Sequence, residues 1–168
     1  MQHKTMRHPT LALAIVLSTI AAIAGLGLVA GSNASTNRIA DGAYAVVVNN
    51  ANSLSGDDAS MMKTVKKIFL KDQTAWPGGV DSKPFDRPAD SEAHNSFRDQ
   101  VLGMSEAELS EHWIKLKQKT GDTPPREVAS EAMLIKFVQK YEGAMGVVSS
   151  AKATAAGDKV KILFTFGG

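Results

Sequence analysis

The chain has 168 residues, of which 43% are hydrophobic, 21% charged and 6% aromatic. Those proportions fit one globular domain and exclude disordered, collagenous and multidomain readings. Cysteine is absent, which excludes disulfides, a thiol nucleophile, thiolate metal sites and lipidation of a processed Cys. The formal charge of +2 comes from Lys4 and Arg7 in the first 34 residues, which hold no acid. Residues 35–168 therefore balance to zero, and the clustered positive charge of a nucleic-acid-binding surface is missing.

Met1 to His8 is polar and basic, Leu11 to Ala30 is uncharged and apolar, and Ser32-Asn33-Ala34 places small residues three and one positions before a cut. These are the three regions of a secretory signal, with cleavage expected after Ala34. An apolar run of about 20 residues also just spans a bilayer, so an uncleaved anchor is the alternative. In either case residues 35–168 form one exported domain, touching membrane only through the N-terminal segment.

In that domain, Ala43 to Asn49 (AYAVVVN) is a continuous β-branched run and reads as a buried strand. Met61, Val65, Ile68 and Phe69 follow helical spacing between Asp57 and Leu70, and Ser55 with Asp58 resembles a capping box. Lys71 to Ser82 contains Trp76-Pro77-Gly78-Gly79 and is a loop. Lys83 to Arg87 reads as a short extended segment. Asp90 or Ser91 then caps a helix with Phe97, Val101 and Leu102 inward. Ser105 opens another, with Glu108 at the box position and Leu109, Trp113 and Leu116 on one stripe. Gly121, Pro124 and Pro125 make Thr120 to Arg126 a loop. Ser130 caps the next helix, with Leu134, Phe137, Val138 and Tyr141 inward and Gly143 as a left-handed stop. Ala144 to Ser149 and Val160 to Phe166 read as strands. The class is α/β with a mixed sheet flanked by helices.

Catalytic residue types are sparse. His94 and His112 lie on different predicted helices and read as solvated positions; no nucleophile motif or metal-ligand spacing accompanies them. Glu106, Glu108 and Glu111 read as a solvated helix face. No enzyme activity, metal or cofactor is expected, and an exported hydrolase would need a nucleophile–base pair that the sequence lacks. The stronger pattern is at helix starts, where unpaired N–H groups and the dipole favour anions. Ser53 and Ser55, Ser91, and Ser130 stand at three such starts, and Arg87 lies four residues before Ser91. Gathered in one crevice at the carboxyl ends of strands, they would suit a tetrahedral oxyanion. Their simpler reading is as ordinary N-caps.

At these residues the sequence resembles the periplasmic phosphate-binding proteins, the substrate-binding components of phosphate ABC transporters. VVVN and its Ser-containing loop look like that family's first βα unit. KKIFLKDQTAWPGG (66–79) resembles the segment that closes its first helix. FDRPADSEAHNSF (85–97) stands where the family has Arg-Ser-Asp-Gly-Ser-Gly-Thr, and REVASEAMLIKFVQKYEGAMGVV (126–148) resembles its late helix and strand. The resemblance implies a type II periplasmic-binding-protein fold, shortened relative to a full two-lobe receptor. It implies phosphate or a related oxyanion as ligand, held by Arg87 and Ser91, with Ser53 or Ser55 in the first ligand loop and Ser130 near the last helix start. An ABC transporter permease or another periplasmic protein would be the partner. The sequence departs from the family pattern at Ala89, Asp90, Glu92 and Ala93, and Lys71 replaces the family's usual Gly. Asp90 and Glu92 would repel a dianion unless they point away. The alternative is therefore a ligand-free interaction or sensory module retaining the fold. Mass spectrometry of the exported protein is expected to find an N-terminus at Ser35; a mass beginning at Met1 would contradict cleavage.

Overall fold

The computed structural model describes residues 43–167. The N-terminal segment, with its cleavage or anchoring, lies outside them. The elements run β1 Tyr44–Val48, α1 Asp58–Phe69, β2 Lys83–Asp86, α2 Glu92–Phe97, a π-helical continuation Arg98–Leu102, α3 Glu106–Thr120, β3 Arg126–Glu127, α4 Glu131–Lys140, β4 Ala144–Ser149, α5 Ser150–Ala156 and β5 Lys161–Phe166. The five strands form one mixed sheet in the order β3-β2-β4-β1-β5.

The β-branched run predicted to be buried is the penultimate strand of that sheet. Ala45, Val46, Val47 and Val48 are all fully buried. Alternation sends Val46 and Val48 into one cluster with α1, the α2–π segment and α3, and Ala45 and Val47 into another with α4 and α5. The sheet is thus covered on both faces, and a strand in that position has no polar side to display.

Strand direction decides where loops emerge. β2 runs parallel to β3 and β4, whereas β1 runs antiparallel to both β4 and β5. Four strands therefore end at one edge, and β1 alone ends at the opposite edge. The loop after VVVN therefore emerges at the edge opposite the loops after β2, β3 and β4.

The helix caps largely follow the sequence. Ser91, Ser105 and Ser130 are N-caps, accepting from the N–H groups of His94, Glu108 and Met133, and Ser105 with Glu108 forms the complete capping box. At α1 the cap is Asp57 rather than Ser55: its carboxylate accepts from the Ser60 N–H and hydroxyl at 2.9 and 2.8 Å. Those bonds hold the Asp57 carboxyl below its usual range. The predicted inner faces hold, with Leu116, Phe137 and Tyr141 only partly buried. β3 and α5 are too short and too weakly patterned to show in the sequence. Pro124 and Pro125 lead directly into β3, the outer strand of the sheet.

Gly143 serves a purpose other than the expected left-handed stop. Tyr141 ends α4 in an extended conformation, and Gly143 is not among the residues with positive φ. A Cβ at Gly143 would overlap the carbonyl oxygen of Asp81, while the Gly143 carbonyl accepts from the Trp76 indole at 2.8 Å. Close backbone approach fixes this residue. The left-handed position is Lys71, just after α1, with φ +63°.

Two stability outcomes follow from these backbones. Gly143→Ala should cost about 3 kcal/mol, the upper range for forced overpacking. Lys71→Gly should stabilise by about 0.5–1 kcal/mol, because relief of left-handed strain exceeds the added chain entropy. Urea melts with unchanged slope would measure both.

Candidate functional site

The shared carboxyl edge of β2, β3 and β4 carries three of the five residues singled out in the sequence. Arg87 follows β2, Ser91 opens α2 and Ser130 opens α4. The Arg87 Nη1 donates to the Val128 carbonyl at 2.7 Å, two residues before Ser130. This bond ties the end of β2 to the turn that starts α4. The Arg87 Nε is buried without a protein partner.

Ser53 and Ser55 are not there. Ser53 donates to the Pro77 carbonyl at 2.8 Å, and the flanking Asn52 and Leu54 carbonyls accept from Lys161 at 3.0 and 2.6 Å, at the start of β5. The antiparallel course of β1 thus delivers this loop to the opposite edge.

The hydroxyls are used unequally. Ser91 donates to the Pro88 carbonyl at 2.6 Å while accepting from the His94 N–H, so its proton is committed. Ser130 accepts from the Met133 N–H at 3.3 Å and keeps its proton to donate among the described residues. Carboxylates from this chain occupy neighbouring donors. Glu131, first residue of α4, accepts from the Ser149 N–H at 2.5 Å and from its hydroxyl at 3.2 Å, at the start of α5. Glu92, first residue of α2, faces Tyr44: burial first, then the Glu92 and Glu131 carboxylates, push the Tyr44 phenol above its ordinary value.

Behind this edge lies a pair that the sequence reading missed. His94 was expected in solvent but is 5% exposed. Its Nδ1 lies 3.1 Å from both oxygens of buried Asp86, and Asp86 Oδ1 also accepts from the Arg87 N–H at 2.7 Å. The signal was present in the periodicity: His94, Phe97 and Val101 share one helical face, so a residue in register with the apolar stripe had to be inward. His112 is also engaged, its Nε2 lying 3.0 Å from the Leu70 carbonyl. Among the described residues no group of His, Asp and Glu could hold a metal ion.

No protein-family model matches the sequence, and no curated protein matches it. Solved structures do. An ABC-type phosphate transport receptor from Vibrio cholerae superposes with a TM-score of 0.54 at 20% identity, over 74% of this chain and 46% of the receptor. PstS from Borrelia burgdorferi gives 0.55 at 13% identity, over 74% and 47%. A phosphate ABC transporter substrate-binding protein from Clostridium perfringens, with bound phosphate, gives 0.53 at 16% identity, over 74% and 45%. The fold is that of phosphate receptors. This chain spans less than half of each receptor's length, and at these identities the likeness speaks for architecture alone.

The Asp86–His94 pair generates a pH prediction. The hydrogen bond to Asp86 is the main cause holding His94 above its ordinary pKa of 6.5, against the opposing effect of burial. A raised folded pKa contributes stability that is complete below the unfolded value and lost as pH climbs through the folded one. The urea midpoint of the wild-type protein should therefore fall as pH rises from 6.5 through that raised value. His94→Gln should flatten the profile across the same window.

Proposed function

We propose that the chain is an exported receptor for phosphate or a related oxyanion, with Arg87 as its principal charged ligand. The observation that carries this reading is the placement of Arg87. Its guanidinium sits at the carboxyl edge of the sheet, joins the strand before α2 to the turn before α4, and keeps a buried Nε without a partner. A guanidinium held beside helix starts matches the charge of an oxyanion. The Ser130 hydroxyl adds a donor, whereas Ser91 contributes chiefly by ordering the start of α2. Ser53 and Ser55, at the other edge, have no part in this site.

The likeness to phosphate receptors supports the same reading, and an ABC transporter permease is the matching partner. Export rests on the signal-like N-terminal segment. Non-enzymatic action fits the binding proteins that share the fold. Among the described residues no helix is long and apolar enough to cross a membrane.

A second reading, a ligand-free interaction or sensory module, is favoured by one observation: Glu131 already occupies the α5 start as an internal anion. Calorimetry with inorganic phosphate separates the two. On the receptor reading phosphate binds, and Arg87→Ala weakens it by about 1.5–3 kcal/mol, the worth of hydrogen bonds to a charged group. Glu92→Gln should strengthen binding by removing a like charge from the α2 start. Absence of heat at millimolar phosphate would favour the ligand-free module.

A further inference from the structure

A pocket of about 260 Å³ lies on the outer flank of the sheet, away from the proposed oxyanion site. None of Arg87, Ser91 or Ser130 lines it. Its apolar floor is a ladder of rings: Phe85 stacks on Phe137 at 5.2 Å, and Tyr141 follows at 6.4 Å from Phe85. Cations stand around that floor. Lys83 Nζ lies 3.6 Å from the Tyr141 ring centre, the Arg126 guanidinium lies 5.6 Å from that of Phe137, and Lys71 completes the rim. No carboxylate lines the pocket.

Lys71 adds an independent observation. It is the only non-glycine residue with positive φ among the described residues. A helix stop of this kind favours glycine, and strain retained in a structure tends to mark a functional position. Here the strained backbone carries a third positive charge to an aromatic pocket that holds no compensating acid.

We propose that this pocket binds small aromatic carboxylates, with the ring of the ligand against Phe85, Phe137 and Tyr141 and its carboxylate among Lys71, Lys83 and Arg126. The chemistry of the lining sets the class. A purely apolar ligand leaves the cations unused, and a purely hydrophilic anion leaves the ring surface wet. Cation–π contacts hold Lys83 and Arg126 over the rings, so their charges are positioned at the rim before a ligand arrives. Only an anion with an apolar body satisfies both halves of the site.

The probe is phenylacetate, titrated into the folded domain and followed by amide and side-chain NMR, with 2-phenylethanol and acetate as controls. Phenylacetate should shift the resonances of Phe85, Phe137 and Tyr141 and saturate, with at least tenfold weaker binding for either control. Lys83→Ala and Arg126→Ala change exposed side chains and should each weaken phenylacetate severalfold; Lys83→Arg should restore most of the loss. Lys71→Gly should separate stability from binding, raising the urea midpoint while weakening phenylacetate. Added salt should weaken binding, and inorganic phosphate at equal ionic strength should do no more than salt does. Equal affinity for phenylacetate and 2-phenylethanol, shifts confined to other parts of the domain, or specific displacement by phosphate would overturn the proposal. Failure of phosphate binding in the preceding calorimetry would leave this pocket unaffected.

Discussion

Burial of β1 on both faces is the constraint that orders the molecule. A run of Ala and three Val with no polar position can form a strand only where helices cover both sides. Its neighbours β4 and β5 supply its hydrogen bonds by antiparallel pairing. That pairing fixes which loops meet. With β1 reversed against the other four strands, the loop after it leaves the edge where α2, α4 and α5 begin. The composition of the candidate oxyanion site follows from the direction of a single strand.

At the shared edge, the chain partly satisfies its own helix starts. Glu131 reaches across to the start of α5, and Glu92, at the start of α2, lies against Tyr44. Carboxylates complement the amino-terminal dipole and fill donors that would otherwise face water. They also place negative charge close to the edge where Arg87 projects. The Asp86 carboxylate does two further things: it accepts from the Arg87 backbone N–H and from the His94 ring. The end of β2 is therefore rigid at the residue before the arginine, and the guanidinium is presented from a fixed base.

Much of this architecture was legible in the sequence because its signals are local. The periodicity of Met61, Val65 and Ile68, the Ser105–Glu108 box and the Ser130 cap each depend on residues within one or two turns. What escaped was set by contacts distant in sequence. Strand direction cannot be read from VVVN, so nothing local reveals that the Ser53–Ser55 loop lies at the edge opposite Arg87. Glycine after a helix usually marks a left-handed stop, but the reason for Gly143 is the Asp81 backbone, 62 positions earlier. Asp57 displaced Ser55 as a cap although both are acceptable there, and spacing cannot choose between them. His94 is different, since its register with Phe97 and Val101 did reveal burial, and its polar character obscured that signal.

The two prolines before β3 bear on how this domain meets other chains. An outermost strand normally offers its backbone as a template for another polypeptide. Here that flank is two residues long and is entered through Pro124 and Pro125, whose imide nitrogens carry no hydrogen. A second molecule approaching from this side finds too few donors to extend the ladder, so fibrous stacking is discouraged at this flank.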